Sequence, residues 1–165
     1  MSNSLTHKDL VEIGYRWCLS RCGFAFKELV TLNPWGEVPD VIGFNTMGSF
    51  LLEAKTSRND FLADRAKPFR RMPEHGVGDW RFMICPKGLI SVEELSVGWG
   101  LIEVESLHKR PVVTHNPFGK GNIYCNWHRN IKSNKAEIAL MYSALRRLHE
   151  LKLIDNIYVK NCNRP

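Results

Sequence analysis

The sequence predicts an α/β or α+β domain built on a mixed sheet. Three observations carry this. Two segments, 6–20 and 135–151, repeat apolar residues at helical spacing. Residues 38–56 read as strand, tight turn, strand. Between them, short β-rich runs alternate with helical and turn chemistry, which is the pattern of layered α and β elements.

The elements follow in order. Leu5, Leu10, Ile13 and Trp17 form one stripe, with Ser4 or Thr6 as cap and Gly23 as stop. Phe24, Phe26 and Val30 among polar neighbours predict a strand over 24–33. Asn33-Pro34-Trp35-Gly36 is a turn. Val38 to Phe44 and Ser49 to Thr56 pair around Asn45-Thr46-Met47-Gly48. Ser57-Arg58-Asn59-Asp60 resembles a capping box and predicts a helix to about Phe69, stopped near Pro68 or Pro73. Trp80 to Cys85 and Trp99 to Glu105 are strands, and 91–95 is at most one helical turn. Residues 107–131, with two prolines and two glycines, read as loop. In the last helix Ile138, Met141, Tyr142, Leu145 and Leu148 share a stripe that serves either the core or a homodimer contact.

The chain of 165 residues fits a single domain, with a core over about 5–105 and a basic C-terminal extension over 106–165. With 44% hydrophobic and 24% charged residues it is expected to be globular. No apolar run approaches the ~20 residues that span a bilayer, so no membrane partner is expected. The start carries His7, Lys8, Asp9, Glu12 and Arg16 and lacks the apolar core of a signal peptide. Five cysteines, an odd number, suit reduced thiols and a cytoplasmic location. Cys18-x₃-Cys22 with Cys125-x₂-His128 is a conceivable zinc set, but buried free thiols explain these cysteines better.

The net charge of +6 is uneven. Residues 1–105 hold 12 Lys and Arg against 14 Asp and Glu, a net of −2. Residues 106–165 hold 11 against 3, a net of +8. The excess suits an anionic partner.

The chemistry-bearing stretch is Pro39-Asp40-Val41-Ile42-Gly43-Phe44 followed by Phe50-Leu51-Leu52-Glu53-Ala54-Lys55. Glu53 and Lys55 lie two apart on a strand and share a face. Asp40, on the partner strand, faces Glu53 across ~4.5–5.5 Å. Converging carboxylates repel unless something neutralises them. A Mg²⁺ ion does so, activates a water and offsets charge on a reacting phosphate, and a lysine assists as a cation. The competing reading is an ordinary strand whose charges pair on a solvent face.

The pattern Pro39-Asp40 … Glu53-Ala54-Lys55, set in the order α-β-β-β-α-β, resembles the PD-(D/E)xK nuclease superfamily. Within it, Glu53-Ala54-Lys55-Thr56-Ser57-Arg58-Asn59-Asp60-Phe61 and Gly98-Trp99-Gly100-Leu101-Ile102 are similar to small bacterial and phage MmcB-like proteins associated with DNA repair. The resemblance implies a restriction-endonuclease-like core and an endonuclease acting on DNA, RNA not being excluded. It implies Mg²⁺, with Mn²⁺ as substitute, held by Asp40, Glu53 and the Ala54 carbonyl. Lys55 would assist the attacking water, and Glu12 on the first helix would be a fourth catalytic member. The alternative is a nucleic-acid-binding module or nuclease partner with a vestigial site.

Further residues suit nucleic-acid contact. Thr56, Ser57 and Arg58 lie beside the proposed site. Arg65, Lys67, Arg70 and Arg71 follow on the next helix. In the basic loop, Lys120, Trp127, Arg129 and Lys132 combine cations with an aromatic ring on which a base can stack. The competing reading for these is a solvated helix face and a surface insertion. Trp35, Trp80 and Trp99 are expected in or at the edge of the core.

Overall fold

In the computed structural model, residues 4–31, 37–118 and 129–158 are described. Six strands form one sheet in sequential order: β1 (Phe24–Lys27), β2 (Val41–Asn45), β3 (Gly48–Ala54), β4 (Trp80–Pro86), β5 (Trp99–Glu105) and β6 (Arg110–His115). Strands β3, β4 and β5 run parallel, and the remaining neighbours are antiparallel. The helices are α1 (His7–Leu19), α2 (Arg58–Asp64), α3 (Pro68–Arg71) and α4 (Asn134–Glu150). The order α-β-β-β-α-β is present, and the class is α+β with a mixed sheet.

Each face of the sheet buries its own cluster, as strand alternation requires. On one face, Leu10, Val11, Trp17 and Cys18 of α1 pack on Val41, Phe50, Leu52, Phe82, Ile84 and Ile102. On the other, Phe61 of α2 and Leu140 of α4 pack on Ile42, Leu51, Met83, Cys85 and Leu101. Trp80 and Trp99 are buried as expected, while Trp35 lies outside the described residues.

Local chemistry sets the element ends. Thr6 caps α1 in a reciprocal box with Asp9. Ser57 accepts from the Asp60 N–H to cap α2, whereas the Asp60 carboxylate reaches the Thr56 N–H. β1 is shorter than the predicted 24–33, because Glu28 leaves extended geometry at φ 47°.

The single helix expected to Phe69 is two helices. Lys67 precedes Pro68 and is pushed out of helical geometry, to φ −59° and ψ 140°. Pro68 then opens α3, where its missing N–H costs nothing. This break decides where Lys67 and Arg70 point.

Two further expectations change. The segment 107–131 contains β6, whose alternating burial marks a half-covered edge strand that accommodates Pro111. The core therefore does not end near residue 105: β6 extends the sheet, and Phe118 and Leu140 are buried in the two clusters. The predicted stripe on α4 is also not its buried face. Ile138, Tyr142, Leu145 and Leu148 are exposed, and Glu137, Leu140 and Ser143 are buried. No helix among the described residues is long and apolar enough to cross a membrane.

Candidate active site

Pairing of Val41 with Leu52 extends by one residue to set Asp40 opposite Glu53, as the hairpin register predicted. This places Asp40 beside the C-terminal end of β3, close enough for its charge to act on Glu53, whose side chain lies on the face that carries α2. One Asp40 oxygen, Oδ2, accepts the Ala54 N–H at 2.7 Å, which fixes the side chain across the strand end. Its other oxygen, Oδ1, faces His7 Nε2 at 3.4 Å.

Glu53 is only 1% exposed, yet it keeps dense ionic company. Its Oε2 lies 3.3 Å from Lys55 Nζ, 3.2 Å from Lys67 Nζ and 3.2 Å from an Arg70 nitrogen. Its Oε1 is buried with no hydrogen-bond partner. An orphaned carboxylate oxygen is costly to bury. Burial pushes the Glu53 carboxyl above its usual value, Arg70 opposes this, and the nearby Asp40 charge adds to the rise.

Asp64, at the end of α2, is the residue that sequence reasoning missed here. It lies 3.0 Å from Lys55 Nζ, 2.9 Å from Lys67 Nζ and 2.6 Å from Arg70 Nε. Burial alone would raise its carboxyl, but the Arg70 hydrogen bond and charge, with help from Lys67, hold it well below the usual range. Glu37 completes the cluster, 2.6 Å from Arg70 and accepting the Val77 N–H. The Lys67-Pro68 pair was the available signal, since the helix break turns the Arg70 side chain of α3 towards Asp64 and Glu53.

His7 and Glu28 were also missed. With Asp40 they each offer one ligand atom within 4.8 Å of the others, a grouping compatible with a metal ion. Its imidazole donor suits a transition metal such as Zn²⁺ or Fe²⁺ better than Mg²⁺.

Several predicted residues are placed elsewhere. Glu12 does not join the Asp40–Glu53 pair. It is held by Lys27 at 2.8 Å and Arg16 at 3.0 Å, which lower its carboxyl pKa, and it borders a cleft of about 710 Å³ with Lys8, Asp9 and Lys109. Arg70 is not a phosphate contact, because its side chain is 3% exposed and spent on Glu37, Asp64 and Glu53. Lys132 is likewise withdrawn: it binds Ser49, Asp79 and Glu137 at the opposite end of β3. Arg129 stands 5.5 Å from the Trp80 ring and 3.8 Å from Asp79.

Other predicted residues lie along α2 and α3 and their approaches. Arg58 pairs with Glu94 and donates to the Leu89 carbonyl, while Arg65 and Arg71 are exposed. Thr56 and Ser57 lead from the strand into the α2 cap. Lys120, Trp127, Cys125 and His128 lie outside the described residues. Cys18 and Cys22 sit against Gly43, and burial pushes both thiols up, which disfavours the thiolate a zinc ion needs.

The donors are oxygens, the kind a hard divalent cation would take. They are carboxylate oxygens from Asp40 and Glu53, one of them unpartnered, beside a buried ammonium.

No protein-family model matches the chain, and no curated protein matches it. Among solved structures it is similar to the SPO1766 protein of unknown function from Silicibacter pomeroyi. The TM-score is 0.53 at 18% identity, over 96% of this chain and 99% of the other. At that identity the likeness establishes a shared fold alone.

Proposed function

We propose that this chain is a divalent-metal-dependent endonuclease, Mg²⁺ being the ordinary ion and Mn²⁺ a substitute, that hydrolyses DNA phosphodiester bonds by the PD-(D/E)xK scheme its sequence resembles. RNA is the second candidate substrate, and a cytoplasmic role in DNA repair, recombination or phage DNA processing suits the resemblance. The observation that carries the reading is the buried Glu53, opposite Asp40 and beside Lys55, with one oxygen left unpartnered. A buried orphaned oxygen calls for an explanation, and a ligand role for a cation supplies one.

Asp40 and Glu53 would hold the metal, together with the Ala54 carbonyl. When bound, it would polarise the phosphate and lower the pKa of a water. The residues do the rest. Asp40 is oriented by the Ala54 N–H, so its position does not depend on a flexible side-chain torsion. Lys55 directs two of its three protons at Glu53 and Asp64, and the third serves to orient the attacking water. Arg70 pins Asp64 and Glu53 from within, which keeps Lys55 in place. Thr56, Arg65 and Arg71 line the approach for backbone phosphates.

The test uses the full chain with plasmid, single-stranded and branched DNA in Mg²⁺ or Mn²⁺, beside Asp40→Asn and Lys55→Met. Cleavage by wild type that both substitutions abolish, with circular dichroism unchanged, is the expected result. Cleavage that persists in both sinks the proposed centre. Salt-sensitive binding without cleavage by wild type points instead to a nucleic-acid-binding module with a vestigial site.

A further inference from the structure

Three cations face Glu53 and Asp64, and they are not equivalent. Lys55 rises from the end of β3 with a side chain 4% exposed. Arg70 is 3% exposed, spans Glu37, Asp64 and Glu53, and stacks 4.4 Å from the Trp99 ring. Neither can leave without unmaking the core. Lys67 reaches the same Glu53 oxygen and the same Asp64 oxygen as Lys55, but its side chain is 45% exposed. It sits between α2 and α3, on a flexible stem that opens to solvent.

We propose that Lys67 is the exchangeable counter-ion of this pocket: it neutralises Glu53 and Asp64 in the metal-free protein, withdraws when a divalent cation binds, and is then free to meet a substrate phosphate. This rests on the metal-site reading above and adds a coupling to it, namely that metal and polynucleotide bind cooperatively through one side chain.

Charge balance supports the exchange. Glu37, Glu53 and Asp64 give three negative charges faced by Lys55, Lys67 and Arg70, and Asp40, beside Glu53 and facing His7, brings the net to −1 with a neutral imidazole. A divalent cation added to that set leaves +1 in a buried cluster. If Lys67 withdraws at the same time, the cluster is neutral. Uncompensated charge is strongly disfavoured at low dielectric, so the neutral arrangement is preferred. Position argues the same way. Lys67 Nζ sits 3.2 Å from Glu53 Oε2, so a cation taken by the vacant Oε1 of the same carboxylate is repelled by the ammonium while it stays.

Withdrawal turns Lys67 to the solvent side, where its chain neighbours Arg65 and Arg71 are also exposed. Phosphates that hold it there favour metal binding, and by reciprocity metal favours phosphate binding to the same extent.

The experiment measures Mn²⁺ affinity of the full chain by the electron paramagnetic resonance of free Mn²⁺. It compares wild type, Lys67→Gln, Lys67→Arg and Asp40→Asn, each with and without a phosphorothioate-linked DNA oligonucleotide. The expected result is about tenfold tighter Mn²⁺ binding by Lys67→Gln. Lys67→Arg, which keeps the charge and controls for folding, should follow wild type. The oligonucleotide should tighten Mn²⁺ binding several-fold in wild type and not in Lys67→Gln. If wild type binds Mn²⁺ in an Asp40-dependent way but Lys67→Gln binds no tighter, or still responds to the oligonucleotide, the exchange is refuted and the metal site stands. If no variant differs from Asp40→Asn, the metal site itself is refuted, and the exchange falls with it.

Discussion

Arg70 is the residue whose removal should cost the fold most for its size. Its guanidinium is enclosed and touches three carboxylates: Glu37 at 2.6 Å, Asp64 at 2.6 Å and Glu53 at 3.2 Å. Arg70→Met keeps much of the volume and removes the charge. Glu37 loses the only ion-pair partner it has among the described residues, while Asp64 and Glu53 keep Lys55 and Lys67. Breaking one partner out of a buried ionic cluster costs about 3–5 kcal/mol, because the remaining charges are left without compensation. Loss of the Trp99 stacking adds to this. For a chain of this length, each kcal/mol moves the melting temperature by roughly 2–4 °C, so a fall of about 6–20 °C is expected. Urea denaturation followed by circular dichroism gives the free energy directly. Arg71→Ala, one residue on and exposed, is the control and should change stability by no more than about 0.5 kcal/mol. Adding Glu37→Gln to Arg70→Met should recover part of the loss, since it removes the stranded charge. A cost below about 1 kcal/mol for Arg70→Met would refute the view that this arginine is the internal keystone of the carboxylate cluster.

Three other outcomes follow from the same geometry. Burial and the Glu103 charge push the Cys85 thiol up to about 12, and burial pushes Cys22 up to about 11, so iodoacetamide at pH 8 should leave both unmodified in the native protein and label them in urea; mass spectrometry reads this peptide by peptide. Asp64 has a folded value below its ordinary 3.8, so its ionic stabilisation is present above that pH and lost as pH falls towards the folded value. The stability gap between wild type and Asp64→Asn should therefore narrow from pH 5 to pH 2, and a constant gap contradicts the assignment. In DNA binding, Arg71→Ala should lower the salt dependence by about one unit of slope, whereas Lys132→Met should leave the slope unchanged and cost about 3–5 kcal/mol of stability.

The backbone of the site was legible because its rules are short-range. Strand alternation puts Glu53 and Lys55 on one face, and a tight turn at 45–48 sets Asp40 opposite. The rest of the cluster depends on long-range placement. Asp64 looked like an ordinary acidic residue on a helix surface until the break at Lys67-Pro68 turned Arg70 of α3 back onto it. Glu37 lies in a connection, and nothing in its neighbours signals that it will meet Arg70 and the Val77 N–H. Glu12 was misplaced because helical spacing says which face a residue occupies, not which strand lies under it; Lys27 of β1 captures it. The α4 stripe misled for a related reason. An apolar stripe usually turns inward, but the buried face here must deliver Glu137 to Ser49 and Gly78, and that requirement rotates Ile138 and Tyr142 outward. β6 escaped notice because Pro111 and alternating polar residues weaken the strand signal at a sheet edge.

The two ends of β3 offer a comparison inside one molecule. At the N-terminal end, Ser49, Asp79, Lys132 and Glu137 form a buried polar cluster. There every carboxylate oxygen has company: Asp79 Oδ2 and Oδ1 meet Lys132 and Arg129, while Glu137 Oε1 accepts from Ser49 and the Gly78 N–H and Oε2 meets Lys132. At the C-terminal end, Glu53, Asp64, Lys55, Lys67 and Arg70 are packed as tightly, yet Glu53 Oε1 is left without a partner and one cation reaches solvent. Same strand, similar burial and the same residue chemistry therefore give one closed cluster and one open one. A closed cluster can be replaced by well-packed apolar residues at little cost, or even a gain, because its charges serve only each other. The open cluster differs in that its imperfection is localised on the one oxygen that faces no protein donor, across from the carboxylate the hairpin brings opposite. The orphaned Glu53 acceptor, on a carboxylate that Asp40 faces across the hairpin and that a half-exposed ammonium neutralises, is where the proposed cation would bind.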